Sequence, residues 1–206
     1  MNRLTVGLDV DDVLLPSGSH TIRWYNNHFG TKLTVKHWYK NLPLEPWAAQ
    51  SEDEIIERVN AILNSSDYLS GIVPIEGALE VLESIKASGD RLFGATSRPP
   101  QLAVMTYKAL ELCYPGMFPV GTVDFIDHST ASGTINKVQK VEIAVREQAT
   151  HFIDDFETHL RPMAAAGITP LLFGDYHHNS VVTTPGLERY PTMMDVKEKL
   201  AHDRAQ

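Results

Sequence analysis

The chain has 206 residues, 43% apolar and 21% charged, which is close to the globular average and enough for a sizeable buried core, excluding a disordered chain or a disulfide-stapled miniprotein. A formal charge of -8 argues against a surface built to neutralise a nucleic-acid polymer, and a small anionic ligand would need a metal here. The longest apolar runs fall far short of the roughly 20 residues that a membrane helix needs, so no membrane partner is expected.

The N-terminal MNRLTVGLDVDD enters an apolar run at once, leaving no room for a signal peptide, and a cytoplasmic location is expected. Leu4 to Val10 reads as a buried parallel strand that ends in acidic residues, with chemistry expected at its far end. Residues 18–70 are richer in polar and aromatic residues, with helical periodicity from Glu54 to Leu63 and breakers at Gly30, Pro43 and Pro46, so they read as a mostly helical insertion. The pattern changes at Pro74. In PIEGALEVLESIKASGD, Ala78, Leu79, Leu82 and Ile85 share one helical face and Gly89 marks the stop.

RLFGATS is a second strand and Pro100 to Cys113 a helix, whose lone cysteine reads as a buried thiol with no disulfide partner in the chain. GTVDFI is a third strand, Lys137 to Glu147 a helix, HFIDD a fourth strand, Thr158 to Ala166 a helix closed by Gly167, and ITPLLF a fifth strand. Short apolar strands alternating with helices predict an open parallel α/β sheet, which binds ligands beyond its strand C-termini. The core is expected to comprise residues 1–17 and 71–206.

Polar residues gather at those ends: Asp9, Asp11 and Asp12 after the first strand, Thr96 and Ser97 after the second, Asp154 and Asp155 after the fourth. In an extended strand Asp9 and Asp11 point the same way, a spacing that suits a nucleophile and its acid/base partner. Several carboxylates meeting in one crevice repel one another unless a cation compensates them, and a hard divalent ion does so while neutralising phosphate oxygens.

This ordered series resembles the haloacid dehalogenase superfamily of phosphatases: Asp9-Val10-Asp11 ending one strand, FGATS ending another, then a lysine, then FIDD, with PIEGALEVLESIKASG as the lead into the second motif. The resemblance covers roughly residues 4 to 175. It implies a Rossmann-like open parallel sheet with a small helical cap inserted after the first strand, and an aspartyl-phosphate mechanism. Asp9 would be the nucleophile, Asp11 the acid/base, and Thr96 a phosphoryl-binding hydroxyl with Ser97 beside it. Lys140, in preference to Lys137, would steady developing charge. Asp9, the Asp11 carbonyl and Asp155 would hold Mg²⁺, with Asp154 in contact directly, through water or from behind. Asp12 stands where the family most often has Gly; relatives with Asp there are phosphatases, and a helix or turn cap is the structural alternative.

Arg98 is a candidate substrate contact or an exposed loop arginine. His177 and His178 lack a matching carboxylate or cysteine pattern and read as a surface loop. Trp24, Tyr25, Phe29, Trp38, Tyr39 and Trp47 read mainly as cap core, with one or two facing the substrate. Within the family the cap and the Asp-Asp ending look most like the 5'(3')-deoxyribonucleotidase-like group. The expected partner is therefore a small phosphorylated metabolite, a nucleotide first and a sugar phosphate second, handled by a monomer or homodimer. A phosphoacceptor module is the non-enzymatic alternative; the lysine ahead of the Asp-Asp strand and the large insertion do not fit it.

Overall fold

The computed structural model describes residues 3–38, 44–126 and 139–206. Lys137 and Tyr39 lie outside them. The sheet is built from β1 (Thr5–Leu8), β2 (Arg91–Thr96), β3 (Val123–Phe125), β4 (His151–Asp154), β5 (Thr169–Phe173) and β6 (Arg189–Tyr190), in the order β3-β2-β1-β4-β5-β6. Every pairing is parallel. β1 is central because it is apolar on both faces, with Val6 and Leu8 fully buried. Gly7 sits in register with Phe93 on one side and Phe152 on the other. A Cβ on Gly7 would lie 2.4 Å from the Phe152 ring and 2.6 Å from that of Phe93, so the missing side chain is what lets both rings pack across the strand.

Between β1 and β2 the chain forms α1 (Ser17–Phe29), α2 (Val35–Trp38), α3 (Glu52–Leu63) and α4 (Ser66–Leu69). Ser51 and Ser65 cap the last two by accepting the backbone N–H groups of Glu54 and Tyr68. Ile22, Tyr25, Trp47, Ile55 and Ile62 are buried among these helices and belong to the same apolar cluster as Val6 and Leu8 of the sheet. Trp47 is cap core: its ring meets Tyr25 edge-on at 5.0 Å and its carbonyl accepts the Tyr25 hydroxyl at 2.9 Å.

The remaining helices are α5 (Ala78–Ala87), α6 (Ala103–Cys113), α7 (Lys140–Arg146), α8 (Glu157–Ala165) and α9 (Met193–Ala205). α5 buries Ala78, Val81, Leu82 and Ile85, and Gly89 takes the left-handed φ of 73° that ends it. Two differences from the sequence reading stand out. The sheet gains β6, and the first strand ends at Leu8 rather than Val10, so Asp9 and Asp11 occupy a bend beyond it. Among the described residues no helix is long and apolar enough to cross a membrane.

Candidate active site

Strand order reverses at β1, and its C-terminal end, beside those of β2 and β4, forms the crevice where open α/β sheets bind ligands. The Asp9 backbone N–H still donates to the Ile153 carbonyl at 2.9 Å, which fixes Asp9 one residue past β1 and beside the end of β4. Its Oδ1 accepts the Val10 N–H at 2.7 Å, and its Oδ2 lies 2.8 Å from the Lys140 Nζ. Lys140, at the start of α7, also reaches the Asp154 Oδ2 at 2.7 Å. Its side chain is 2% exposed, so the ammonium is a buried bridge between two carboxylates.

The carboxylates differ in environment. Burial, together with Asp154 and Asp11, lifts Asp9 to about 7 despite the opposing pull of Lys140. Burial acts on Asp154 too, but Lys140 and His159 overcome it and hold that carboxyl well below the usual range. Asp154 Oδ1 also accepts the Phe156 N–H at 2.9 Å, and His159 Nδ1 lies 3.1 and 3.2 Å from its two oxygens. Asp155 is pushed well above its ordinary value by burial and then by Asp154 and Asp9. Its Oδ2 lies 2.8 Å from His178 Nε2.

Asp11 pairs with Arg98. The guanidinium Nη2 reaches Asp11 Oδ1 at 2.7 Å, and Nε lies 3.1 Å from both oxygens. Burial opposes ionisation of Asp11, but Arg98 prevails and keeps its pKa low. The same guanidinium donates to Thr106 at 3.0 Å, Ser17 at 3.0 Å and the Tyr68 hydroxyl at 2.9 Å. Arg98 is thus buried, not an exposed loop residue, and its donors are engaged within the protein. The Thr96 hydroxyl accepts the Arg98 N–H at 3.1 Å and donates weakly to Asp11 at 3.4 Å; Ser97 is half-buried beside it.

Asp12 caps α1, both carboxylate oxygens accepting the Gly18 N–H at 3.1 and 3.2 Å. Its φ of 56° is a left-handed conformation that Gly adopts freely and Asp tolerates, a physical reason for the exchange of Gly for Asp here.

The structure brings Asp9, Asp11, Thr96, Lys140, Asp154 and Asp155 together at the sheet edge. His159 joins them unforeseen: one atom each of Asp9, Asp154 and His159 lies within 4.8 Å of the others. His159 lies five positions after Asp154, and the strand-to-helix turn that brings the two together was its only signal. The surface-loop reading of His178 is corrected, because its imidazole packs against Asp155 and Phe156, whereas His177 is exposed. A cavity of about 400 Å³ opens between α1 and α4, lined in part by His20, Arg23, Trp24 and Asp67. No residue of the acidic centre lines it. The buried carboxylates, with Asp155 driven up by burial and then by its anionic neighbours, form a hard oxygen donor set that fits a divalent cation.

The fold, a six-stranded parallel sheet with flanking helices, matches that of solved haloacid dehalogenase-family hydrolases. A HAD family hydrolase from Deinococcus radiodurans R1, solved with bound phosphate and sodium, matches with a TM-score of 0.66 at 18% identity over 97% of this chain and 96% of that one. A predicted phosphatase from Clostridium acetobutylicum matches with a TM-score of 0.67 at 16% identity over 98% and 100%. In sequence, a Bacillus cereus protein provisionally named a nucleotidase is 25% identical over 151 residues, 72% of this chain and 75% of its own length. No family model matches the chain.

Proposed function

We propose that this chain is a divalent-cation-dependent phosphomonoesterase that acts through Asp9 on a small phosphorylated molecule. The observation that carries the reading is the Asp9 carboxylate at the sheet's switch point, fixed through one oxygen by the Val10 N–H and through the other by buried Lys140. A nucleophile oriented this way attacks phosphorus and forms an aspartyl-phosphate, splitting hydrolysis into two steps. Lys140 offsets charge on Asp9 before attack and on the phosphoryl group afterwards. Asp11 is the more exposed of the two front carboxylates, 25% against 7% for Asp9, which suits it to meet the leaving oxygen and then the incoming water; because Arg98 holds it ionised in the free site, the acid role requires the arriving phosphate dianion to raise its pKa. Thr96 and Ser97 supply hydroxyls for the phosphoryl oxygens, and Arg98 holds Asp11 rather than substrate.

Asp9, Asp155 and the Asp11 carbonyl would hold the cation, Mg²⁺ by the family resemblance, with Asp154 committed to Lys140 and His159. When bound, the ion neutralises phosphate oxygens and the surplus carboxylate charge. Phosphate release should therefore stop in EDTA and return with added Mg²⁺. Unchanged turnover in chelator would overturn the mechanism.

Residues 18–70 serve as the cap. For the leaving group we propose a nucleoside. The half-buried Trp38 supports this: its ring lies 2.9 Å from where a Gly18 Cβ would stand, with the Asp12 carboxylate equally near that point. This puts a flat aromatic surface at the start of α1, beside Asp12, the residue next to Asp11 in the chain, and the name of the Bacillus relative points the same way. A phosphate-release screen over nucleoside monophosphates and sugar phosphates tests it, and a preference for sugars would remove the nucleotide reading alone. Trp38→Ala should cost about 1 to 3 kcal/mol in nucleotide binding, by analogy with base stacking. It should raise KM for nucleotides while sparing a small generic ester; equal losses on both would make the ring a packing element only.

A further inference from the structure

The β5–β6 connection carries a small assembly of side chains directed at the acidic centre. His178 Nε2 lies 2.8 Å from the Asp155 carboxylate and 3.0 Å from the Asp155 carbonyl. Its imidazole is sandwiched between two rings, Phe156 at 5.0 Å and 20° and Tyr176 at 5.4 Å and 11°, which fixes the plane of the ring. Tyr176 in turn donates its hydroxyl to the Asp12 carbonyl at 2.7 Å. Asn179 bridges the Asp155 and Phe173 carbonyls at 3.2 and 2.8 Å, tying the end of β4 to the end of β5. Gly174 makes this geometry possible: its φ is 91°, and a Cβ there would stand 2.2 Å from the Tyr176 ring.

We propose that His178 is a positioning residue for cation binding, holding the Asp155 carboxylate in place, and that Tyr176 braces the opposite wall through the Asp12 backbone. Asp155 needs such a hold. Its carboxyl group is buried beside those of Asp154 and Asp9, so without a hold its side chain would be free to rotate, and the site would then have to be reassembled whenever a cation enters. A neutral imidazole donating Nε2–H holds the carboxylate through one oxygen and leaves the other for a ligand bond. Groups that orient ligands from behind in this way fix their geometry, and losing one typically costs about 10- to 100-fold in metal affinity. The inference rests on the reading of Asp155 as a cation ligand.

The test is calorimetric titration of MgCl₂ into the metal-free full-length chain, with the melting temperature of each variant measured in parallel. His178→Ala should weaken the Mg²⁺ Kd by about 10- to 100-fold. His178→Gln, which retains an N–H donor, should recover part of the loss, and the exposed neighbour variant His177→Ala should bind as wild type does. Tyr176→Phe removes one hydroxyl from an otherwise intact ring and should also weaken binding; together with His178→Gln it keeps the test decisive if the alanine variant fails to fold. A wild-type Kd in His178→Gln and Tyr176→Phe, or in a folded His178→Ala, would overturn the positioning role. Failure of the underlying reading looks different: wild type would not bind Mg²⁺, or Asp155→Asn would bind it unchanged, and either result removes the proposal together with its premise.

Discussion

Asp9→Asn is expected to abolish phosphate release while leaving the melting temperature close to that of wild type. The fold should survive because Asn keeps the shape and its amide oxygen can still accept the Val10 N–H, a 2.7 Å bond in the native chain. Burial already pushes Asp9 up to about 7, so removing its charge relieves strain among the carboxylates as well as breaking the contact to Lys140, which keeps its bond to Asp154. Catalysis has no such cushion. An amide oxygen is a poor nucleophile toward phosphorus, and losing a covalent nucleophile elsewhere costs on the order of 10⁶ in kcat. Asp11→Asn should differ in kind, losing about 10² to 10⁴ in rate, the usual worth of proton transfer, and most on substrates with poor leaving groups. Rapid-quench labelling of the protein from a ³²P-monoester separates the two: Asp9→Asn should trap no label at all. Turnover near wild type in Asp9→Asn would end the covalent reading.

The residues legible in the sequence are those whose burial is set locally. β1, β2, β4 and β5 announce themselves because a strand covered on both faces is a continuous apolar run, and acidic or hydroxyl residues closing such a run mark the candidate site. Lys140 required the family's motif order, since a lysine at a helix start looks solvated until its partners are known. Arg98 shows where local reading ends. Its burial depends on Asp11, Ser17, Tyr68 and Thr106, drawn from the bend after β1, α1, α4 and α6, and nothing in TSRPP signals them. Trp47 reads as cap core from its aromatic setting, and the partner that buries it, Tyr25, lies 22 residues earlier. His178 was visible but unremarkable, because its carboxylate partner is far off in sequence. β6 spans only Arg189–Tyr190, both half-buried, and two residues cannot display a period.

Lys140→Met should produce the largest loss of stability of any single change at the site, because it breaks a buried charge bridge while nearly preserving the packing of the aliphatic stem. The ammonium that it removes sits 2.8 Å from Asp9 and 2.7 Å from Asp154, whose side chains are 7% and 0% exposed. Removing one partner of a buried pair leaves an uncompensated charge and costs about 3 to 5 kcal/mol. For a domain of this size that lowers the melting temperature by on the order of 10 °C. His159 remains on Asp154, so the destabilised partner is chiefly Asp9. The assignment makes two further demands. Added Mg²⁺ should raise the melting temperature of the variant, since a ligand that binds only the folded state stabilises it by mass action. Placing Asp9→Asn in the Lys140→Met background should recover part of the stability, because it removes the stranded carboxylate, without recovering turnover. Denaturant unfolding in EDTA of wild type, both single variants and the double variant yields the coupling energy directly. Additive losses, or a Lys140→Met protein as stable as wild type in metal-free buffer, would show that Lys140 does not supply the compensation on which this charge arrangement depends.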